Sequence, residues 1–212
     1  MTAVNGVDPL SWTHAPERAT PIALRPSPRL LDTYHAERHP VGARLLHNTM
    51  AQVALGVPGE RHQALRDTVA ELPGMDEPRR RYAAMLAGLD IHYDLGGPHP
   101  LVGRRMRDLD LQTADGPTRM FTLLHDARPV LLDLGGPGGV ASPAGSDRIS
   151  AVAARCDGGW ELPVLGPIAA PEAVAIRPDG HVAWAGDLTD PELARALATW
   201  FGAATPAEGA RR

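Results

Sequence analysis

The sequence predicts a mixed α/β protein in which a helical segment precedes a sheet domain. Between residues 30 and 89, apolar residues recur at helical spacing and no strand pattern interrupts them. After Gly96-Gly97-Pro98, short strand patterns alternate with turns, and an amphipathic helix follows the last of them. We therefore expect three parts: residues 1–29 as a disordered leader, residues 30–98 as helices, and residues 99–212 as an α/β domain.

The leader is predicted from its prolines. Residues 1–29 contain five prolines among scattered polar residues, so neither helical nor sheet hydrogen bonding can propagate through them. The same stretch lacks the cationic start and apolar run of a secretion signal. No segment of the chain reaches the roughly 18 consecutive apolar residues of a membrane span. We expect a cytoplasmic protein that makes no contact with a membrane.

Three helices are expected in the segment that follows. The first extends from Leu30 to about Leu55, where apolar residues fall close to a 3.6-residue period. Pro40 should kink this helix or restart it after His39, because proline has no amide to donate and its ring clashes with the preceding turn. The last of the three is opened by Asp76 as its cap. The second and third helices are expected at Glu60–Leu72 and Glu77–Leu89.

Strand patterns and turns predict the α/β domain. Pro129–Leu134 is a continuous apolar run, typical of a central buried strand. Ala173–Trp184 predicts a hairpin, because Arg177-Pro-Asp-Gly180 is a turn sequence. A closing helix begins after Asp190 as its cap, with Pro191 at its first position. Shorter strands are expected at Asp108–Thr113, Arg119–Leu123 and Ile149–Cys156.

Charge and cysteine content exclude several functions. Twenty-one basic and 25 acidic residues give a net charge of −4, so the chain has no cationic excess for binding nucleic acid or an anionic membrane.

Cys156 is the single cysteine, which excludes an internal disulfide and two-cysteine exchange chemistry. We interpret it as a semi-buried structural residue. Peroxidase chemistry with an external thiol is the rival interpretation.

Other motifs carry weak signals. Gly136-Pro-Gly-Gly-Val-Ala141 fits a loose dinucleotide pattern, but too few residues follow it to form the helix whose amides would bind a phosphate. His35 and His39 stand one helical turn apart, as two zinc ligands would, yet no third ligand is evident. The serines and histidines show no arrangement typical of a catalytic triad, and the Gly-x-Ser-x-Gly motif is absent from the sequence. We assign no catalytic, cofactor-binding or metal-binding residue. The tryptophans expected in the core are Trp160, Trp184 and Trp200.

Three stretches, Gly103–Leu111, Thr122–Leu132 and Ile176–Trp184, together resemble a known domain. It is the thioredoxin-like C-terminal domain of FAD-dependent aromatic-ring hydroxylases, especially those acting on polycyclic polyketides. Upstream, Leu31–Val41 is similar to the helix that closes the flavin domain in these enzymes. Arg107 departs from the family, which commonly has proline there. The recurrent pattern in the upstream helix is carried by Tyr34, Glu37, Arg38 and Pro40.

The resemblance implies FAD and NADPH as the family's cofactors. The family's Gly-rich entry, Asp-Gly and Gly-Asp motifs have no counterpart in this sequence, so we expect the chain to bind neither cofactor. Residues 30–98 are then interpreted as the helical remnant of a flavin-monooxygenase domain, and residues 99–212 as a thioredoxin-like domain without a CxxC pair. The expected function is that of a truncated or split hydroxylase, an accessory or interaction fragment without activity of its own. The alternative is a stand-alone thioredoxin-fold thiol peroxidase or oxidoreductase that uses Cys156.

The first helix points to the partners that such a fragment would have. Its apolar side chains would ordinarily lie against the flavin domain, so they need another cover. We expect them to pack on the α/β domain or to form a dimer contact. A homodimer and a separate flavin-domain chain are the expected partners. The side chains concerned are Leu45, Leu46, Met50 and Val53.

Overall fold

The structure is a computed structural model that describes residues 30–135, 149–162 and 164–202. The predicted leader and the glycine-rich motif at 136–141 lie outside the described residues. None of the helices in these ranges is both long enough and apolar enough to cross a membrane.

The helical segment begins with α1 (Leu30–Gly56), a 27-residue helix that contains Pro40. The predicted restart after His39 is wrong, because the helix continues through the proline. A proline in a helix interior costs roughly 3 kcal/mol, and each half of α1 is held by a further contact. Glu37 binds Arg177 in the first half, and Arg44 binds Asp90 in the second.

Two shorter helices follow, α2 (Glu60–Ala70) and α3 (Asp76–Leu86), with a single 3₁₀ turn between them. The cap predicted for α3 is wrong, since Met75 precedes the helix and no side chain caps it. Asp76 is instead the first helical residue and pairs with Arg79 one turn later. Its carboxylate still lies at the positive end of the helix dipole.

The α/β domain contains a six-stranded sheet with the strand order β2-β1-β4-β3-β7-β8. The central strands β3 and β4 are parallel, whereas β7 is antiparallel to β3 and to β8. Strands β5 and β6 form a separate hairpin. The strands are β1 (Asp110–Thr113), β2 (Gly116–Arg119), β3 (Val130–Asp133), β4 (Ser150–Arg155), β5 (Trp160–Leu162), β6 (Gly166–Ile168), β7 (Ala173–Ile176) and β8 (Val182–Gly186), and the last helix is α4 (Pro191–Phe201).

The predicted fold class, a mixed α/β domain preceded by a helical segment, is confirmed. Strand β3 is fully buried, and its side chains alternate between two apolar clusters. Leu132 belongs to the cluster under the β1–β2 side, whereas Leu131 lies in the cluster that α4 covers. The predicted cap of α4 is also confirmed, because Asp190 Oδ1 accepts a hydrogen bond of 2.9 Å from the Glu192 amide.

The structure corrects one strand prediction and adds two strands. Residues Met120–Leu124 form a 3₁₀ helix, and the strand expected there ends at Arg119. The Met120 amide still donates to the Leu109 carbonyl in register with the β1–β2 ladder, and the chain enters the 3₁₀ helix from there with the Met120 side chain fully buried. The β5–β6 hairpin was not predicted, since its strands have only three residues each and one contains proline.

Gly103 joins the helical segment to the sheet. Its carbonyl accepts from the Tyr93 amide (2.9 Å), and its own amide donates to the Val182 carbonyl (2.8 Å). Its φ of 80° lies in the left-handed region, and a Cβ atom there would come 1.8 Å from the Tyr93 carbonyl oxygen. Only glycine fits at this position.

Candidate functional site

A polar junction connects the first half of α1 to the turn between β7 and β8. Glu37 is 7% exposed, and its Oε1 accepts a 3.0 Å hydrogen bond from Nη1 of Arg177. The other guanidinium nitrogen, Nη2, donates to Asp179 Oδ2 at 2.7 Å. Buried charges are tolerated when they are paired and hydrogen-bonded in this way. Arg177 therefore fastens α1 to the sheet domain.

Aromatic rings surround the Arg177 guanidinium. Its Cζ lies 4.6 Å from the centroid of the Trp200 ring in α4 and 5.9 Å from that of Tyr93. Arg38, also on α1, lies 5.8 Å from the centroid of the same tyrosine. Cations over aromatic faces are attracted by the ring quadrupole. The junction thus brings together α1, the β7–β8 turn and α4.

Asp179 keeps its charge in this setting. Burial acts to raise its pKa, but the neighbouring His181 side chain and the Arg177 guanidinium outweigh burial and hold the pKa below its ordinary value. The His181 backbone amide also donates to Asp179 Oδ1, at 3.1 Å. Asp179 is therefore a charged partner of Arg177 at neutral pH.

A second contact holds the other half of α1. Arg44 donates to both carboxylate oxygens of Asp90, at 2.9 and 3.0 Å. This pair is partly exposed, so it contributes less than the buried one. Glu37, Val41, Arg44 and Asn48 follow helical spacing, so they lie on one face of α1. We call it the inner face.

The opposite side of α1 is an exposed apolar face. The prediction that these side chains pack on the α/β domain is wrong, because they are exposed and the Glu37–Arg177 ion pair turns the inner face toward that domain. A dimer contact stays a prediction. The apolar face consists of Leu45, Leu46, Met50 and Val53, which are 63% to 70% exposed.

His35 and His39 lie on adjacent turns of α1. The ring centroids of His35 and His39 lie 4.9 Å apart, and both side chains are exposed. Glu37, which lies between them in sequence, is engaged by Arg177. Across the described ranges no group of three or more histidine, cysteine or acidic residues could hold a metal ion.

Cys156 follows β4 and is half-buried against the larger apolar cluster. Burial raises the pKa of its thiol, and the positive charge of Arg107 only partly opposes this. Because the thiolate is the reactive form, this setting does not activate the cysteine. Trp160 and Trp184 are buried as expected, and Trp200 packs at the edge of the second cluster.

The described helix termini do not fit the pyrophosphate of FAD. A phosphate binds where free amides and the helix dipole present positive charge. Each of the four helices has an acidic residue in its first turn, which repels a phosphate. These residues are Asp32, Glu60, Asp76 with Glu77, and Glu192.

Sequence reasoning missed the pairing of Glu37 with Arg177. Both residues occur in the stretches that carry the family resemblance, but 140 positions separate them. A charged residue among the inner-face positions of α1 was the available signal, because a buried carboxylate requires a cationic partner. The fold and the junction together define a class of protein. It consists of an α/β domain preceded by a long helix that a buried ion pair attaches to the sheet.

Comparisons with known proteins identify the family. The family model for the C-terminal domain of aromatic-ring hydroxylases matches residues 99–204. The 12-dehydrotetracycline 5-monooxygenase/anhydrotetracycline 6-monooxygenase of Streptomyces rimosus subsp. rimosus is 41% identical over 187 residues, covering 85% of this chain and 36% of the relative. A rifampicin monooxygenase of Streptomyces venezuelae is 41% identical over 176 residues, covering 83% and 33%.

A solved structure agrees with these matches. The aromatic hydroxylase CabE from angucycline biosynthesis is 46% identical, with a TM-score of 0.72 over 85% of this chain and 37% of that chain. The chain belongs to the aromatic-ring hydroxylase family and corresponds to its C-terminal domain with the helices before it. It spans about a third of the length of the relatives it matches.

Proposed function

We propose that this chain supplies the C-terminal part of a flavin-dependent aromatic-ring monooxygenase. In this proposal the apolar face of α1 is the surface on which the flavin-binding domain docks. The exposure of that face carries the proposal. Leaving such side chains in water forfeits roughly 1.5–3 kcal/mol each, so a partner surface that covers them gains affinity. Contiguous exposed apolar patches of this kind are typical of interfaces.

The junction explains how the face is presented. Arg177 holds the inner face of α1 against the sheet domain, so the apolar face points away from it. A helix fixed in this way has little further conformational freedom to lose when a partner binds. This supports a rigid docking surface rather than a flexible tail.

The flavin chemistry belongs to the partner domain in this proposal, whether it lies in the same polypeptide or in another chain. Residues 30–202 alone are not expected to hydroxylate, since their helix termini do not fit FAD. The parallel β3–β4 pair, the β7–β8 hairpin and α4 support a thioredoxin-like domain. The named relatives support a polycyclic aromatic substrate. We place the function in the cytoplasm.

Coexpression tests this proposal. The flavin-binding portion of the Streptomyces rimosus relative, which precedes the matched part, would be expressed as a separate chain beside the full 212-residue protein. We expect a yellow complex to copurify. Leu46→Glu should prevent it, because a charge would enter the apolar face. Leu86→Glu is the matched control, since it makes the same change at an exposed leucine of α3, outside that face.

Two outcomes would contradict the proposal. One is a complex that forms equally well with Leu46→Glu. The other is a homodimer that Leu46→Glu dissociates while no flavin-containing complex forms, which would assign the apolar face to a second copy of the chain. Sedimentation of the protein alone distinguishes this case, because a dimer is seen without any partner.

A further inference from the structure

A groove lined by arginines lies between the end of the helical segment and the β5–β6 hairpin, away from the apolar face of α1. Its volume is about 480 Å³, within the range of small-molecule sites. Three arginines of the segment before β1 line it, together with an aromatic ring and aliphatic walls. We call it the arginine groove. Its lining includes Arg104, Arg105, Arg107, Phe121, Leu162 and Val164.

The positive charges of the groove's arginines are not neutralised by ion pairs with carboxylates of the described residues. None of Arg104, Arg105 and Arg107 forms an ion pair with a described carboxylate, although the charge of Asp90 acts on Arg104 and Nη1 of Arg107 donates to the Gly159 carbonyl at 3.2 Å. Nε of Arg104 is buried and has no hydrogen-bond partner there. Guanidinium groups left in this state are suited to bind an external anion, and their planar forks match a carboxylate.

The acidic residues of the groove do little to cancel this charge. Asp108 is engaged elsewhere, since its Oδ2 accepts from Arg119 at 2.8 Å and its Oδ1 from the Phe121 amide at 3.0 Å. Glu161 is exposed and contributes one negative charge to the lining. Positive charge therefore exceeds negative charge in the groove.

The apolar part of the lining indicates what accompanies the anion. The Arg105 guanidinium lies 5.6 Å from the centroid of the Phe121 ring, so a flat ligand could stack beside both. Leu89 and Val164 are partly exposed along the walls, and Leu162 is buried beneath them. A ligand with an apolar ring would cover these side chains.

From this combination we propose that the arginine groove binds a small aromatic carboxylate, with the carboxylate on the arginines and the ring against Phe121. The site is independent of the docking function proposed for α1, because no residue of the apolar face lines it. The carboxylate accepts from Arg105 and Arg107, and the side chains of Leu162 and Val164 exclude water from the ring.

Titration of the full chain with 1-naphthoate tests the site, with 1-naphthamide as the neutral analogue. We expect saturable binding of the carboxylate, at least tenfold weaker binding of the amide, and about tenfold loss in Arg105→Gln or Arg107→Gln, since each removes a charged hydrogen-bond donor. Arg195→Gln is the matched control, because Arg195 is an exposed arginine of α4 outside the groove. Calorimetry gives the affinities, and circular dichroism checks the fold of each variant.

Glu161→Gln should change the affinity in the direction opposite to that of the arginine variants. Removing this exposed carboxylate should tighten binding, and raising the salt concentration should weaken binding in every variant that binds. The proposal is overturned if 1-naphthamide binds as tightly as 1-naphthoate, if Arg195→Gln weakens binding as much as Arg105→Gln does, or if no saturable binding is measured.

Discussion

The sheet domain and the helical segment hold their structure in different ways. Strands β3 and β7 are buried along their whole length, whereas α2 contains no buried residue and α3 contains only Ala84. Among the described side chains of α1 the buried one is charged, Glu37. The sheet domain thus has its own hydrophobic core, whereas α1 is joined to it through a buried ion pair, Glu37 with Arg177. This difference is what we expect if the helices belong structurally to a neighbouring domain.

Equal truncations in the two regions should have very unequal effects on stability. Leu132→Ala removes a fully buried side chain of β3 and should lower the free energy of unfolding by about 2–5 kcal/mol. Leu46→Ala, on the apolar face of α1, should change it by no more than about 0.5 kcal/mol. Urea denaturation measures both. Equal losses would show that the apolar face is packed in solution, and the contrast between the regions would be wrong.

At the junction that links the two regions, removing the cation should destabilise the protein more than removing the buried carboxylate. Arg177→Met leaves Glu37 buried without its cation and should cost about 3–5 kcal/mol. Glu37→Gln should cost less, about 1–3 kcal/mol, because Arg177 keeps Asp179 as a partner. Thermal or urea unfolding of the two variants gives the comparison.

A double-mutant cycle provides the control for this prediction. In the variant that carries both substitutions, the loss should be smaller than the sum of the two single losses, because the second change removes a charge that the first left unpaired. Additive losses would mean that the two side chains do not interact, and that α1 is attached by other contacts.

Low pH should weaken the same junction. The folded pKa of Asp179 lies below the unfolded value, so its contribution to stability is present above the unfolded pKa of about 3.9 and is lost as the pH falls through the folded pKa. We expect Asp179→Asn to lose less stability than the wild type as the pH falls below about 4. Parallel unfolding curves for the two proteins across this range would contradict the assignment.

The strongly patterned parts of the fold could be predicted from the sequence. The buried strand β3, the β7–β8 hairpin and the cap of α4 each have a local cause: an apolar run, an Arg-Pro-Asp-Gly turn and an Asp-Pro start. Boundaries set by tertiary contacts could not be predicted. Residues Met120–Leu124 have the composition of a strand, but they form a 3₁₀ helix whose first side chain, Met120, is fully buried in the core.

The candidate site shows the same limit more clearly. Tyr34, Glu37 and Arg38 could be identified from a recurrent pattern, but a pattern does not say which residue binds them. Glu37 and Arg177 are brought together by the packing of α1 against the sheet, across 140 positions of sequence. Likewise Pro40 has a strong local tendency to break a helix, yet α1 continues through it, with an ion pair on either side.

The smallest effect should be found at Cys156, in the sheet domain. Its side chain is half-buried, so Cys156→Ser should change the free energy of unfolding by less than about 1 kcal/mol.

The reactivity of the same thiol can be measured separately. Burial raises the pKa of the Cys156 thiol, so alkylation by iodoacetamide at neutral pH should be slower in the folded protein than in urea, because less thiolate is present. Arg107→Gln should slow it further, since the Arg107 charge is what opposes the effect of burial on the pKa. Faster alkylation in the folded state, accompanied by peroxide turnover that Cys156→Ser removes, would instead support the thiol peroxidase alternative. In that case the sheet domain would have a reactive centre of its own, and docking would no longer be the function that distinguishes the two regions.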